Sequence, residues 1–335
     1  MDKRQDGKDY FGFEGQAQCY AKYRPQYPKQ FLHYLLDKET SLPNLQRNVC
    51  LDIATGTGFL VQHMASEEVG FRRVIGTDIS DSQLQQAREK FKDTPQAEFH
   101  NTSIQQLPEF LDKHDLKGKV DLITIGQGLH WLPVDETLQT INSLLAEDQS
   151  QNFLVLAYSK PLIYDGSNWE QQVSTQNMQE KGYELDQTIP TDYKIQDSKI
   201  HAYQEISTAY EEMWTKIYPH FIFDRSVIEK FYTTFDFEAH LKVLKKVIWY
   251  DVTPNKTMHE VLGYMNSISA YQCYLEDHNI PKGSDQDPWV IFRNKCIEQG
   301  QILSQSDVQI SAEEALSQTV DFITPYFGFV LGKKQ

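Results

Sequence analysis

Cysteine, long apolar runs and positive charges are all scarce in this sequence. The four cysteines among 335 residues lie far apart and form no C-x-x-C pair, which disfavours both a disulfide framework and a zinc site. No apolar run approaches the ~18 residues that a membrane-spanning helix needs. Acidic residues outnumber basic ones by 47 to 32, and the net charge of −15 disfavours nucleic acids and anionic membranes as partners. We therefore expect a cytoplasmic protein with no nucleic-acid or membrane partner.

Two common nucleotide-binding loops are also absent. Residues 49–60 pass from a short apolar run through Gly56 and Gly58 into apolar residues at helical spacing, which predicts a strand, a glycine turn and a helix. A dinucleotide-binding loop needs a third glycine, where Val61 stands, and no G-K-[ST] follows as in a Walker loop. Asp52 ends the strand instead, and its carboxylate suits the sulfonium and ammonium groups of S-adenosylmethionine (SAM). A plain strand–turn–helix junction is the alternative.

A second acidic strand end follows the glycine turn. The apolar run of residues 74–77 ends in Asp78, about 20 residues after the glycines, which is the spacing at which an acid meets ribose hydroxyls in nucleotide-binding α/β folds. Asp81 and Ser82 follow, so the other possibility is that Asp78 only caps the next helix.

Strands and helices alternate from residue 49 to residue 159, which predicts βαβ units and a parallel sheet. We expect a flexible arm at 1–15, a ligand-binding core at 16–159, a helical insertion at 160–242, and completion of the sheet with a helix at 243–335. Thr257 with Glu260 predicts a capping box that opens a helix over 257–274. Residues 319–331 are aromatic and β-branched, which favours a final edge strand. The predicted strands are 49–53, 73–77, 97–100, 120–126 and 152–158, and the predicted helices are 58–67, 81–92, 104–113 and 135–147.

Together, five segments resemble class I SAM-dependent methyltransferases, and more closely the trans-aconitate methyltransferase-like group of small-molecule enzymes. The resemblance implies a doubly wound, mostly parallel, Rossmann-like sheet of seven strands with a helical insertion after the fifth strand. It also implies SAM as cofactor and S-adenosyl-L-homocysteine (SAH) as product. The segments are residues 23–28 (YRPQYP), 51–58 (LDIATGTG), 76–80 (GTDIS), 127–132 (QGLHWL) and 261–271 (VLGYMNSISAY).

The resemblance implies cofactor-binding roles for residues at two strand ends. Asp52, Gly56 and Gly58 would hold the methionine part of SAM, Asp78 would bind the ribose hydroxyls, and Ile79 would pack on adenine.

Three further cofactor contacts are implied with one departure from the family pattern. Gln127 would lie beside the sulfonium. Relatives often carry an acid before a Leu-Pro pair, and here Ser103, followed by Ile104, stands in that place. A serine hydroxyl would make a weaker hydrogen bond to adenine than an acid makes.

The acceptor side would be formed by a loop and the N-terminal arm. The resemblance places His130 and Trp131 at the acceptor, and it closes the site with Tyr20, Tyr23 and Arg24, of which Tyr20 would contact the cofactor. On physical grounds alone, His130 is a candidate base or a structural hydrogen-bonding residue, and Trp131 is a candidate substrate platform or a core residue.

The predicted function is methyl transfer from SAM to a small molecule, with a carboxylate oxygen as the acceptor and a monomer or homodimer as the active form. A carboxylate is ionised at pH 7 and needs no base, and Arg24 would pair with it bidentately, through two parallel hydrogen bonds. The alternatives are a hydroxyl or nitrogen acceptor, with His130 as base for a hydroxyl, and a SAM-binding regulator without catalysis. We expect no metal.

Overall fold

The computed structural model describes residues 19, 22–37, 42, 44–146, 151–165, 178–187 and 195–334. The predicted arm at 1–15, Tyr20 and part of the 160–242 insertion lie outside these residues. Strands and helices alternate in the first half as the periodicity predicts. In chain order this half contains α1 (Lys29–Leu36), β1 (Val49–Ile53), α2 (Phe59–Met64), β2 (Arg73–Asp78), α3 (Asp81–Lys90), β3 (Ala97–Asn101), α4 (Leu107–Lys113), β4 (Leu122–Gly126), a 3₁₀ turn (Leu129–Trp131), α5 (Val134–Leu144) and β5 (Asn152–Tyr158).

The second half adds long helices and two long strands. It contains β6 (Leu162–Ile163), β7 (Glu184–Gln187), α6 (Asp197–Ile217), a 3₁₀ turn (Tyr218–His220), α7 (Ser226–Glu229), α8 (Phe237–His240), β8 (Lys242–Thr257), α9 (Met258–Asn266), α10 (Ser269–Asp277), α11 (Pro288–Leu303), α12 (Ala312–Leu316) and β9 (Thr319–Gly332).

All these strands form one mixed sheet in the order β3-β2-β1-β4-β5-β9-β8-β7, with β6 paired to β9. Strands β1 to β5 are parallel to one another, whereas β9 runs antiparallel to both β5 and β8. The predicted fold class is therefore confirmed. The strand number differs, because the described sheet has nine strands rather than seven.

Strand β9 lies inside the sheet and not at its edge, contrary to the prediction from its sequence. It pairs with β5 on one side and with β8 on the other. Almost every residue from Val320 to Leu331 is buried, because helices cover both faces of the sheet there. A strand covered on both faces is apolar throughout, and this explains the aromatic run that favoured an edge assignment.

Alternate residues of the central strands enter two separate cores. Leu51 and Ile123 pack on one face of the sheet, and Cys50 and Leu122 pack on the other. This alternation follows from the period of two along a strand. It fixes the register of β1 against β2 and β4, and so it aligns the carboxyl ends of these three strands at one edge of the sheet.

A third core holds the helical part of the chain together. Helix α6 packs against α11, and its buried residues join those of α9 and α10. The predicted capping box is confirmed, since the Thr257 hydroxyl accepts from the Glu260 N–H and the Glu260 carboxylate accepts from the Thr257 N–H. The predicted helix over 257–274 is two helices, α9 and α10, with a break at Ser267 and Ile268.

Among the helices of the described ranges, none is both long enough and apolar enough to cross a membrane.

Candidate active site

A cavity of about 590 Å³ opens at the carboxyl ends of β1, β2 and β4. The strand order reverses at β1, which has β2 on one side and β4 on the other, and open α/β sheets bind ligands at such a switch point. The lining residues used below are Arg24, Asp52, Gly56, Thr57, Asp78, Ile79, Gln83, Ser103, Ile104, Gln127, Trp131, Tyr158 and Ile222.

Asp52 is a buried carboxylate held by two hydroxyl groups. The Thr55 hydroxyl donates to its Oδ2 and the Thr124 hydroxyl donates to its Oδ1, both at 2.6 Å. Burial raises the pKa of Asp52 to about 7, although both hydrogen bonds lower it, and the nearby Asp78 raises it further. A cation placed at this end of the cavity would therefore favour the ionised form of Asp52.

The glycine turn lies against the second acidic strand end. Gly56 has a φ of 56° and Gly58 a φ of 81°, in the left-handed region that glycine tolerates. A Cβ at Gly56 would lie 2.6 Å from Oε1 of Gln83, so the end of the Gln83 side chain would have to move, and the positive φ would strain any residue with a side chain. Gly58 does not line the cavity and instead lies against the Phe91 ring. A Cβ added at Gly58 would lie 2.6 Å from this ring.

Asp78 binds the glycine turn and is not the N-cap residue of α3. Its Oδ2 accepts the Gly56 N–H at 2.8 Å and its Oδ1 accepts the Ser80 N–H at 2.9 Å. The N-cap of α3 is Ser80, whose hydroxyl accepts from the Gln83 N–H. The alternative that Asp78 only caps this helix is therefore wrong.

The next part of the cavity wall is apolar. Ile79 lines the cavity with 71% of its surface exposed, which is unusual for so large an apolar side chain. Ile104 lines it as well and is buried. Ser103 also lies in the wall, where its hydroxyl accepts a long hydrogen bond of 3.4 Å from the Gln106 N–H.

Gln127 lines the cavity, but its amide is bonded to the neighbouring strand. Its Oε1 accepts the Tyr158 N–H at 2.9 Å, and its Nε2 donates to the Tyr158 carbonyl at 3.2 Å. Its φ of 54° places it in the left-handed region, which is strained for a residue with a side chain. The Gln127 amide therefore joins the ends of β4 and β5. That Gln127 lies beside the sulfonium stays a prediction.

His130 does not line the cavity, and its predicted role as an acceptor-side base does not fit its position. Its ring is buried, with Nδ1 2.6 Å from the Tyr232 hydroxyl. Burial lowers the pKa of His130 well below 6.5, and the charge of Arg225 lowers it further. His130 therefore positions the loop after β4. Trp131 does line the cavity, with its ring centroid 4.8 Å from that of Phe223.

The N-terminal arm contributes Arg24 to the cavity wall. Its Nη1 donates to the Tyr158 hydroxyl at 3.4 Å, and its Nη2 donates to the Ser267 carbonyl at 3.1 Å. Tyr23 does not line the cavity. Its ring lies against Gly263 of α9, where a Cβ would be 2.4 Å from the ring. Tyr20 lies outside the described residues.

Sequence reasoning overlooked several residues of the site because their roles depend on partners far along the chain. Tyr158 bonds to Arg24 and Gln127, at separations of 134 and 31 residues. Thr124 reaches Asp52 across 72 residues. Ile222 comes from the helical insertion, which carries no motif. The one available signal was Thr124 itself, a polar residue in the middle of the apolar strand β4.

Comparison with known proteins agrees with this geometry. Residues 50–148 match the family model described as a methyltransferase domain, which spans β1 to α5 and most of the cavity wall. A structure from Anaeromyxobacter dehalogenans, provisionally named a type II methyltransferase, covers 92% of this chain and 97% of its own at 16% identity, with a TM-score of 0.57. The predictions of a methyltransferase domain and of the class I SAM-dependent methyltransferase fold are confirmed.

Relatives at the sequence level match over part of the chain. An uncharacterized protein from Haemophilus influenzae is 29% identical over 150 residues, which are 42% of this chain and 55% of the relative. A protein from Dictyostelium discoideum, provisionally named a methyltransferase, is 27% identical over 135 residues, which are 40% of this chain and 44% of the relative. The chain thus matches about half the length of these curated relatives. The likeness to the trans-aconitate group stays a prediction.

Proposed function

We propose that this chain, with its methyltransferase domain at residues 50–148, is a SAM-dependent methyltransferase that methylates a carboxylate oxygen of a small molecule. One observation carries the proposal: a single cavity is lined by two carboxylates at neighbouring strand ends and by one arginine from the N-terminal arm. Its volume of about 590 Å³ lies in the range of small-molecule sites.

The residues at the sheet edge fit the cofactor. Asp52 suits the ammonium group of the methionine part, since a cation there would relieve the cost of a buried negative charge. The Thr57 hydroxyl lies in the glycine turn, is buried, lines the cavity and has no hydrogen-bond partner among the described residues. A ligand beside the turn would supply that missing partner. SAM brings a methyl group on a positively charged sulfur, which is already activated for transfer.

The nucleoside end of the cofactor fits the wall formed by Asp78, Ile79 and Ile104. The backbone bonds of Asp78 fix both of its oxygens at the cavity, and each carboxylate oxygen accepts more than one hydrogen bond, which allows ribose hydroxyls to donate. The exposed Ile79 side chain and Ile104 offer apolar surface to the flat faces of adenine. Ser103 lies in the same wall, and its hydroxyl would form a hydrogen bond with the edge of adenine.

Arg24 supports an anionic acceptor. Among the described residues that line the cavity, Arg24 is the only one with a positively charged side chain. Its guanidinium is held by the Tyr158 hydroxyl and the Ser267 carbonyl, which fixes the plane that a carboxylate would meet. Arginine binds carboxylates through two parallel hydrogen bonds, so this residue would orient as well as attract the acceptor.

The chemistry asks the protein for alignment and not for a base. A carboxylate is ionised at pH 7 and attacks without losing a proton. No histidine lines the cavity within the described ranges, which disfavours a hydroxyl acceptor that would need one. Alignment of two bound reactants supplies about 7–11 kcal/mol in favourable cases, and Trp131 with Ile222 would exclude water from the acceptor side.

Two measurements test the proposal. Calorimetry with SAH should show saturable binding to the wild-type protein, and methyl-labelled SAM incubated with a panel of small carboxylates should yield a labelled product. SAH binding without transfer to any acceptor would favour a SAM-binding regulator. Absence of SAH binding would refute the proposal altogether.

A further inference from the structure

A buried arginine in the helical part of the chain has unpaired hydrogen-bond donors. Only 4% of the Arg225 side chain is exposed, yet its Nε and Nη2 have no hydrogen-bond partner in the described part of the chain. The Glu229 carboxylate is 4.0 Å from Nε, beyond hydrogen-bond distance, and it already accepts from the Tyr218 hydroxyl at 3.0 Å. Buried guanidinium donors are normally satisfied, so these two need an explanation.

Aromatic rings hold the Arg225 guanidinium in place without satisfying its donors. The Cζ atom lies 5.7 Å from the centroid of the Trp214 ring and 5.3 Å from that of Phe221. These two rings are stacked on each other at 5.8 Å. Cation–π contacts of this kind stabilise the charge through the faces of the rings. They leave the edge of the guanidinium, which carries the N–H groups, available to an acceptor of hydrogen bonds.

A second donor without a described partner lies on α9, next to Arg24. The hydroxyl of Tyr264, on α9, is buried and has no hydrogen-bond partner among the residues described. Burial raises the pKa of Tyr264 to about 12, and the charges of both Arg24 and Arg225 act to lower it. The Tyr264 ring centroid is 5.3 Å from Cζ of Arg24, which itself lines the cavity. The phenol is thus beside the Arg24 guanidinium, and its ring belongs to the same core as Trp214, over which Arg225 lies.

We propose that Arg225 and Tyr264 form an oxyanion subsite that binds an acidic group of the methyl acceptor, either a carboxylate or a phosphate. The inference rests on the proposed function, because it extends the acceptor side of the same cavity. Ile222, three residues before Arg225, and Arg24 both line the cavity. The Arg24 bond to the Tyr158 hydroxyl is long at 3.4 Å, so the arriving acceptor replaces it, while the bond of 3.1 Å to the Ser267 carbonyl keeps the guanidinium in place and the acidic group of the acceptor reaches Arg225.

Thermal unfolding of the ligand-free protein in the presence of simple oxyanions tests the subsite. The probes are succinate and inorganic phosphate, with sodium chloride at equal ionic strength as the reference. A ligand that binds the native state raises the unfolding midpoint in a saturable way. We expect this rise in the wild type with one of the two oxyanions, and the one that acts distinguishes a carboxylate subsite from a phosphate subsite.

Three variants and one control define the expected result. Arg225→Met should abolish the saturable rise while keeping the ligand-free midpoint at or above that of the wild type, because it removes buried donors that have no hydrogen-bond partner among the described residues. Arg225→Lys and Tyr264→Phe should each raise the half-saturating concentration at least about fivefold. Arg293→Met, on α11, is the matched control and should respond like the wild type.

The outcomes separate the subsite from the proposed function. No saturable rise in the wild type, or an equal rise in wild type and Arg225→Met, would overturn the subsite. If Arg225→Met does not fold, Tyr264→Phe decides, and an unchanged response in that variant overturns the subsite as well. SAH calorimetry on the same proteins should give wild-type affinity, and loss of SAH binding by the wild type would instead refute the proposed function.

Discussion

In the sheet wall of the cavity, formed at the ends of β1, β2 and β4, the buried Asp52 carboxylate accepts hydrogen bonds from two hydroxyls at 2.6 Å. Arg225 lies three residues from Ile222 of the helical wall, and two nitrogens of its buried guanidinium have no hydrogen-bond partner among the described residues. The first charge is held by the fold itself. The second has a place fixed by aromatic rings but lacks the hydrogen bonds that would satisfy it. We infer that the sheet wall serves a constant ligand, and that the helical wall is completed by the acceptor.

The largest effect should come from Gly56→Val in the sheet wall. The new Cβ would meet Gln83 at 2.6 Å and the φ of 56° would be strained, so SAH binding should fall by more than about 100-fold in calorimetry. Gly118→Val is the matched control, since Gly118 has a φ of 71° but open space around it. A folded Gly56→Val protein with normal SAH affinity would show that the turn does not approach the cofactor.

Arg24→Ala should affect the acceptor and spare the cofactor. We expect kcat/KM for the acceptor to fall about 100-fold, in line with the loss of a charge-assisted pair, and SAH affinity to change less than about twofold. Arg24→Lys should restore only part of the activity, because an ammonium group lacks the planar fork. Equal losses of SAH binding and turnover in Arg24→Ala would make Arg24 a cofactor or folding residue.

Asp78→Ala tests the ribose end of the sheet wall. It removes two acceptors of backbone N–H groups as well as the proposed ribose contact, and SAH binding should weaken more than tenfold, about 1.4 kcal/mol or more. Asp93→Ala, at an exposed position after α3, is the control. Unchanged SAH affinity by calorimetry would remove Asp78 from the site.

The raised pKa of Asp52 predicts a pH dependence of cofactor binding. Below its pKa of about 7 the ligand-free carboxyl is protonated, so binding of an ammonium group must release that proton. SAH affinity should therefore be full above about pH 7.5 and fall up to about tenfold per unit below pH 7. Calorimetry in two buffers of different ionisation enthalpy should detect the released proton, and Asp52→Asn should abolish the pH dependence.

The same pKa shift predicts a change in stability of the opposite sense. The folded protein keeps a proton on Asp52 up to about pH 7, whereas the unfolded chain loses it near pH 4, so this group lowers the free energy of unfolding as the pH rises between these values. Asp52→Asn should therefore unfold at a higher temperature than the wild type at pH 8 without ligand. A lower midpoint would show that the two threonine bonds outweigh burial.

The smallest effect should come from Gly263→Ala, which tests the contact between Tyr23 of the N-terminal arm and α9. The added Cβ would lie 2.4 Å from the Tyr23 ring and displace the arm, so KM for the acceptor should rise about threefold. Tyr23→Ala should mask this effect in the double variant, because the two residues act through one contact. Additive losses in the double variant would separate the two residues.

The sheet wall was predictable from sequence because its signals are local. A strand, a glycine turn and a helix lie within residues 49–64, and Asp78 ends the next strand along the chain. The contacts that depend on distant partners were not predictable, since Tyr158 meets Arg24 across 134 residues and His130 bonds to Tyr232 across 102. The interior position of β9 depended likewise on long-range pairing with β5 and β8.

The most direct test is to identify the bond that joins the transferred methyl group to the acceptor. Labelled SAM, wild-type protein and a small carboxylate acceptor should give an acidic product whose label is released as volatile methanol by mild alkali, as a methyl ester requires. The Arg24→Ala protein, compared at equal SAM occupancy, should release about 100-fold less. A labelled product that resists alkali, or no labelled product although SAH binds, would contradict methylation of a carboxylate in this cavity.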